Sequence, residues 1–336
     1  MCAERERRGE SLQKKRWAAV LAALALLLSG CGEPSSQSVP APPAQNALSA
    51  QRAVQDGGGS GERNDRQGAF SSPTFRDAVF HEDAAEGDEG VRLDLSSLQD
   101  GYVAVSANSD MRLKFQVLCG DDTYTYNLAS DGTPSVFPLS CGDGEYRFRV
   151  MENVMDNKYA ELYSAECDVT LSDAFQPFLR PNDYVPYNED SACVKKAAEL
   201  ASHVDNEIEL VAAVYAFICD TVRYDAEKAA VVSSGYLPDP DETMYSGKGI
   251  CFDYAALAAS MLRSQGIPTK EIFGYVSPND VYHAWNMFYT EQTGWVTVSF
   301  ETKKDDWNRM DTTFAANGAD EYFIGDGSNY ADLYWY

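Results

Sequence analysis

Gly247-Lys248-Gly249-Ile250-Cys251-Phe252-Asp253-Tyr254 reads as a glycine-bearing loop that runs straight into a helix. Tyr254, Leu257, Ala258, Met261 and Leu262 fall at helical spacing and define an inward face. Gly266 stops that helix after Gln265 and Pro268 follows, the order helix C-termini prefer. Cys251 is thereby expected as the first residue of the helix. The positive end of the helix dipole and unpaired N–H groups there stabilise a thiolate, the form in which cysteine is a nucleophile. Asp253, in the first turn, suits the same dipole and reads as structural. Gly247 and Gly249 leave room for a substrate backbone. Position alone does not make a cysteine catalytic. It also needs a base, and a group to orient that base.

The flanking sequence predicts helices first and sheet second. Ile208, Val211, Ala212, Tyr215, Ile218, Cys219 and Val222 make one apolar helical face, with a shorter helix around Cys193 to Ala201. Strand patterns occupy Ile272 to Val276, His283 to Tyr289, Trp295 to Phe300 and Trp307 to Met310. Residues 176–336 are therefore expected to be an α+β domain. Residues 74–175 read differently. Leu113, Phe115 and Val117, then Tyr124, Tyr126 and Leu128, then Tyr146, Phe148 and Val150 alternate with polar neighbours between Asp/Gly turns. That period of two predicts an all-β, Ig-like sandwich with an accessory role.

The chain has three histidines. His81, in Asp/Glu-rich sequence, and His203, ending a polar helix, read as solvated bystanders. His283 opens an apolar-flanked strand in the same domain as Cys251. Gly249-Ile250-Cys251-Phe252-Asp253-Tyr254-Ala255, then Met261-Leu262-Arg263-Ser264-Gln265-Gly266-Ile267-Pro268, then Gly274-Tyr275, then His283-Ala284-Trp285 occur in order. Over roughly residues 185–325 this resembles the bacterial transglutaminase-like superfamily. The resemblance implies a papain-like core with a Cys-His-Asp triad, Cys251 as nucleophile and His283 as general base and later acid. It also implies an aspartate beyond the histidine strand. Asp311, in Trp307-Asn308-Arg309-Met310-Asp311-Thr312-Thr313, fits best if residues 295–306 are an insertion; Glu301 is the alternative. Trp285 is expected to pack beside the site, Tyr282 to shape the cleft, and the Cys251 N–H to serve an oxyanion hole.

Residues 1–30 have a basic start and a wholly apolar run, Trp17 to Leu28, too short to span a bilayer. The run ends in Leu28-Ser29-Gly30-Cys31, which resembles a bacterial lipoprotein cleavage box with Cys31 as the lipidated residue. The expected organisation is a signal peptide over 1–30, then a Pro/Ser/Gly-rich disordered tether over 31–73. The protein is thus expected as an extracytoplasmic lipoprotein of the cell envelope, anchored to the membrane by lipid. A net charge of −25 with no basic stripe excludes nucleic acid as a partner. Cys119 and Cys141 sit near strand ends and are candidates for a disulfide. Cys167 and Cys219 read as small buried hydrophobes. No cofactor is expected, and no Cys-x-x-Cys pair or His cluster suggests a metal; the loop Asp326-Gly327-Ser328-Asn329 lacks the full calcium pattern.

The expected activity is attack on a protein or peptide amide through a thioester. Hydrolysis, deamidation and Gln-Lys cross-linking all remain open, with hydrolysis favoured by family analogy. A catalytically inactive module for envelope assembly is the alternative.

Overall fold

Alternation of apolar and polar residues builds two antiparallel four-stranded sheets that face each other across an aromatic core. The computed structural model describes residues 70–88, 90–277, 280–292, 294–296, 300–302, 306–317 and 328–336, with backbone alone at 294–296, 300–302, 306 and 307. One sheet has the order β1 (Glu86–Gly87), β2 (Val91–Asp94), β3 (Tyr102–Ala107), β6 (Ser135–Pro138). The other has the order β5 (Asp122–Leu128), β4 (Leu113–Cys119), β7 (Gly144–Met155), β8 (Lys158–Val169). Leu93, Val103, Val105 and Phe137 of the first pack against Phe115, Tyr126, Phe148 and Val150 of the second. The expected sandwich forms.

Helices α1 (Ala192–Ala201), α2 (Glu207–Thr221), α3 (Ala226–Val231) and α4 (Pro240–Ser246) lead to α5 (Cys251–Ser264). The strands β9 (Arg223–Tyr224) and β10 (Lys248–Gly249) pair in parallel just before α5. Every residue from Phe252 to Ser264 is buried, so α5 is enclosed on all sides, and not on the single face its spacing suggested. Arg263 is accommodated there because its guanidinium donates to the carbonyls of Thr269, Arg180 and Tyr336. A sheet ordered β15 (Asp306–Met310), β12 (Val281–Thr290), β11 (Thr269–Val276), β16 (Tyr330–Trp335) packs on α5. Between β12 and β15 the hairpin β13 (Gly294–Val296) and β14 (Phe300–Thr302) is set aside from this sheet.

Residues 68–336 form one compact unit. Ile250, Phe252, Ala255, Phe273, Ala284 and Tyr336 share a hydrophobic core with the sandwich. The β region and the α+β region are thus fused through a common interior. The expected end of the tether at residue 73 moves back. Phe70 N–H donates to Val204 O at 3.0 Å, Ser72 bonds Gln265, and Phe70 and Phe75 pack on the helical core. Two aromatics in a six-residue stretch bury enough apolar surface to hold it down. The expected signal segment 1–30, Cys31 and the expected tether up to residue 69 lie outside the described residues, as do Asp326 and Gly327.

Candidate active site

Cys251 is the first residue of α5, preceded by Ile250 in extended conformation. Its loop is fixed on two sides. Arg223 N–H donates to Gly247 O and Asp225 N–H to Gly249 O, each at 2.9 Å. Asp253, fully buried, reaches back to the Ile250 N–H at 2.8 Å. The same carboxylate takes Lys228 Nζ at 2.7 Å and the Tyr236 hydroxyl. This is the structural role read for Asp253, with partners that the sequence did not reveal. Gly249 is required because a Cβ there would lie 2.7 Å from Asp253 Cβ.

His283 lies in β12, which Asn286 ties to α5 through Nδ2 donating to Ala255 O at 3.0 Å. β12 pairs directly with β15, Asn286 opposite Met310, so Asp311 emerges at the end of the neighbouring strand. The 28-residue separation of His283 from Asp311 is absorbed by the β13–β14 hairpin. His283 Nε2 and Asp311 Oδ2 are 2.8 Å apart, with the histidine 4% and the aspartate 0% exposed. An ionised carboxylate only accepts, so Nε2–H donates and Nδ1 is left for Cys251, which is within side-chain hydrogen-bond reach. The structure therefore brings Cys251, His283 and Asp311 together. The Glu301 side chain, the alternative, lies outside the described residues.

Asp311 is held by more than the histidine. Its Oδ1 caps α6 (Thr312–Ala316) by accepting the Phe314 N–H at 3.0 Å, and its Oδ2 also accepts the Tyr330 hydroxyl at 2.9 Å. Phe314 stacks on the imidazole at 4.3 Å, and Trp285 stands 6.1 Å from it on the same strand. Tyr330 and Phe314 had no local signal in the sequence. Burial works against a charged imidazole here, but the Asp311 carboxylate and then Cys251 outweigh it and push His283 up to about 10. Tyr282, 48% exposed, and Tyr224, 38% exposed, are within the charge field of Cys251.

The other histidines lie apart from this site. His203 Nδ1 bonds Glu199 O at an exposed helix end. His81 is half exposed yet paired with the buried Asp94 at 3.0 Å, so it is anchored and not simply solvated. A cavity of about 530 Å³ lined by Asn182, Asp183, Tyr187, Asp239 and Asp241, among others, contains none of Cys251, His283 and Asp311. Among the described residues no three His, Cys, Asp or Glu side chains are grouped to hold a metal ion.

Residues 194–300 match the family model described as the Transglutaminase-like superfamily. The chain carries a transglutaminase-like domain. Cys251 and His283 fall inside the match and Asp311 lies beyond it. An uncharacterised protein of Mycobacterium leprae is 28% identical over 176 residues, 49% of this chain; the chain spans only 55% of that relative's length. Solved structures similar to it include a candidate cysteine protease from Cytophaga hutchinsonii (TM-score 0.37, 15% identity, 75% of this chain and 73% of that one). The periplasmic domain of TgpA from Pseudomonas aeruginosa (0.34, 15%, 69% and 96%) and red sea bream transglutaminase (0.27, 14%, 63% and 47%) are also similar. In the transglutaminase-like domain the sulfur sits at a helix N-terminus, where the first N–H groups have no intrahelical partner. The buried imidazole beside it is aligned by a carboxylate that is itself held from two other directions.

Proposed function

We propose that the protein is a cysteine enzyme acting on protein or peptide amide bonds through a thioester. Cys251 is the nucleophile, His283 the general base and then acid, and Asp311 the group that orients the histidine. The observation carrying this reading is the grouping of Cys251 beside His283, whose Nε2 is 2.8 Å from Asp311 Oδ2. Nδ1 of His283 takes the thiol proton while Nε2–H stays bonded to Asp311. The sulfur bonds the carbonyl carbon, and the former C=O electron pair becomes an oxyanion. Backbone N–H of Cys251 holds that oxyanion, with the Tyr224 hydroxyl as second donor. Tyr224 stands opposite Gly249 in the β9–β10 pair, and burial, then the charge of Cys251, push its hydroxyl up to about 12. It therefore stays protonated and able to donate. Collapse breaks the C–N bond, the imidazolium proton goes to the departing nitrogen, and a thioester remains. Water then releases an acid, or a lysine amine forms a new amide. In the same reading Cys31 carries the lipid that holds the enzyme at the envelope, supported by Leu28-Ser29-Gly30-Cys31 at the end of the apolar run.

Alkylation tests it. Iodoacetamide should label Cys251 at neutral pH faster than it labels the other described cysteines, and Cys251→Ala should lose that label in a peptide map. A Cys251 that resists labelling while His283 is intact would leave the inactive binding module as the better reading. With labelling established, ammonia release, a new amino terminus or a lysine adduct on envelope peptides separates deamidation, hydrolysis and cross-linking.

A further inference from the structure

We propose that Cys119 and Cys141 form a redox site, an exchangeable disulfide that clips the end of β4 to the turn before β7. Cys119 is the last residue of β4, opposite Asp122 on β5 and Tyr146 on β7. The turn at 139–142 folds back beside it. Gly142 N–H donates to Leu139 O at 3.2 Å, and the Tyr146 hydroxyl donates to Gly142 O at 2.9 Å. This brings the two thiols within side-chain hydrogen-bond reach of each other. Both are partly exposed and pack on the same core. Gly144, at φ +155°, lies directly beside Cys119, whose Sγ is 3.5 Å from where its Cβ would stand. Two free thiols within reach of each other on separately anchored backbone segments are placed so that a disulfide could close between them.

The other described cysteines have different surroundings. Cys167 faces Tyr146 from β8, so two strand spacings, about 10 Å, separate it from Cys119. Cys193 lies against Asp241, and Cys219 points toward the Thr312 carbonyl. Cys251 belongs to the catalytic line.

Oxidation proceeds by exchange. One thiolate attacks an external disulfide and displaces one thiol; the second attacks the mixed disulfide and displaces the other. The pair loses two protons and two electrons, and the external disulfide becomes two thiols. Burial first, and then Cys119, push the Cys141 thiol up to about 12, so thiolate is scarce there at neutral pH and exchange is slow. The clip would brace the place where the sandwich holds β16. Ser140 O accepts Trp335 Nε1 at 3.1 Å, and Tyr124 meets Tyr334 edge-on at 5.7 Å.

The test incubates the full chain with glutathione disulfide, alkylates it after denaturation, and maps its peptides without reductant. A cross-linked peptide joining Cys119 to Cys141, lighter by two hydrogen atoms, is expected, with Cys193, Cys219 and Cys251 free or carrying glutathione. Reductant should then lower the melting temperature by roughly 5–10 °C, and the Cys119→Ser/Cys141→Ser variant should melt at one temperature with or without it. Alkylation at both positions, or pairing with another cysteine, overturns the site. A linked pair with an unchanged melting temperature overturns the clip.

Discussion

His283 is asked to hold a proton where burial disfavours charge, and Asp311 is the main reason that it can. Its ordinary value of 6.5 is pushed up to about 10, so the folded protein binds this proton more tightly than the unfolded chain does. The resulting stabilisation is complete below the unfolded value and is lost as pH rises through the folded one. Asp311→Asn keeps the size of the side chain and removes its charge. Turnover should fall roughly 10²–10⁴-fold, and the imidazole titration, followed by NMR, should move from about 10 back toward 6.5. A variant whose titration overlays that of the parent would mean that Asp311 does not set the state of the histidine. Tyr330 should keep the asparagine in place, because its hydroxyl can donate to an amide oxygen as well as to a carboxylate.

At the scale of elements, Gly274 decides how closely β16 can approach β11. The register between them shifts at Phe273/Gly274, and a Cβ at 274 would lie 2.1 Å from Ala331 O and 2.7 Å from the Trp285 ring. Backbone cannot yield as a flexible side chain can, so Gly274→Ala should displace β16. Urea unfolding should show a loss of about 1–3 kcal/mol. Since β16 carries Tyr330 to Asp311, activity should fall further than stability. A variant within experimental error of the parent in both would show that the strand has room to spare. The same strand marks where the sequence stops being legible. The sandwich could be read because one buried face imposes a period of two, and the start of α5 because Gly, Cys and Asp each have a local reason to be there. Asp311 was reachable because a family pattern places an aspartate after the histidine strand, and β12–β15 pairing explains its distance. Tyr330, Phe314, Lys228 and Tyr236 were not reachable, since each gains its role by meeting a residue far along the chain.

At the scale of the whole molecule, the sandwich and the sheet that carries His283 meet at Tyr336. Its ring stacks on Tyr184 at 4.2 Å and contacts Tyr124 and Tyr126 of the sandwich and Phe273 of β11 at 5.6–5.7 Å. Its backbone exchanges hydrogen bonds with Glu271 at 3.0 and 2.8 Å, and its carbonyl accepts from Arg263. Glu271 is itself fully buried, and burial pushes its carboxyl well above the usual range, with Arg263 countering only in part. An interior shared in this way cannot open on one side alone without exposing aromatic surface on the other. Unfolding should therefore be a single transition, with sandwich β-signal and the protection of buried Cys193 from alkylation lost together. Tyr336→Ala should lower stability by about 3–5 kcal/mol while keeping the two signals coincident, because it weakens the joint without creating a second core. Separate midpoints in the parent protein, with Cys193 still protected after the sandwich signal has gone, would mean that the β region is a removable attachment. Coincident midpoints would make it part of the scaffold that holds α5, and with it Cys251, in place.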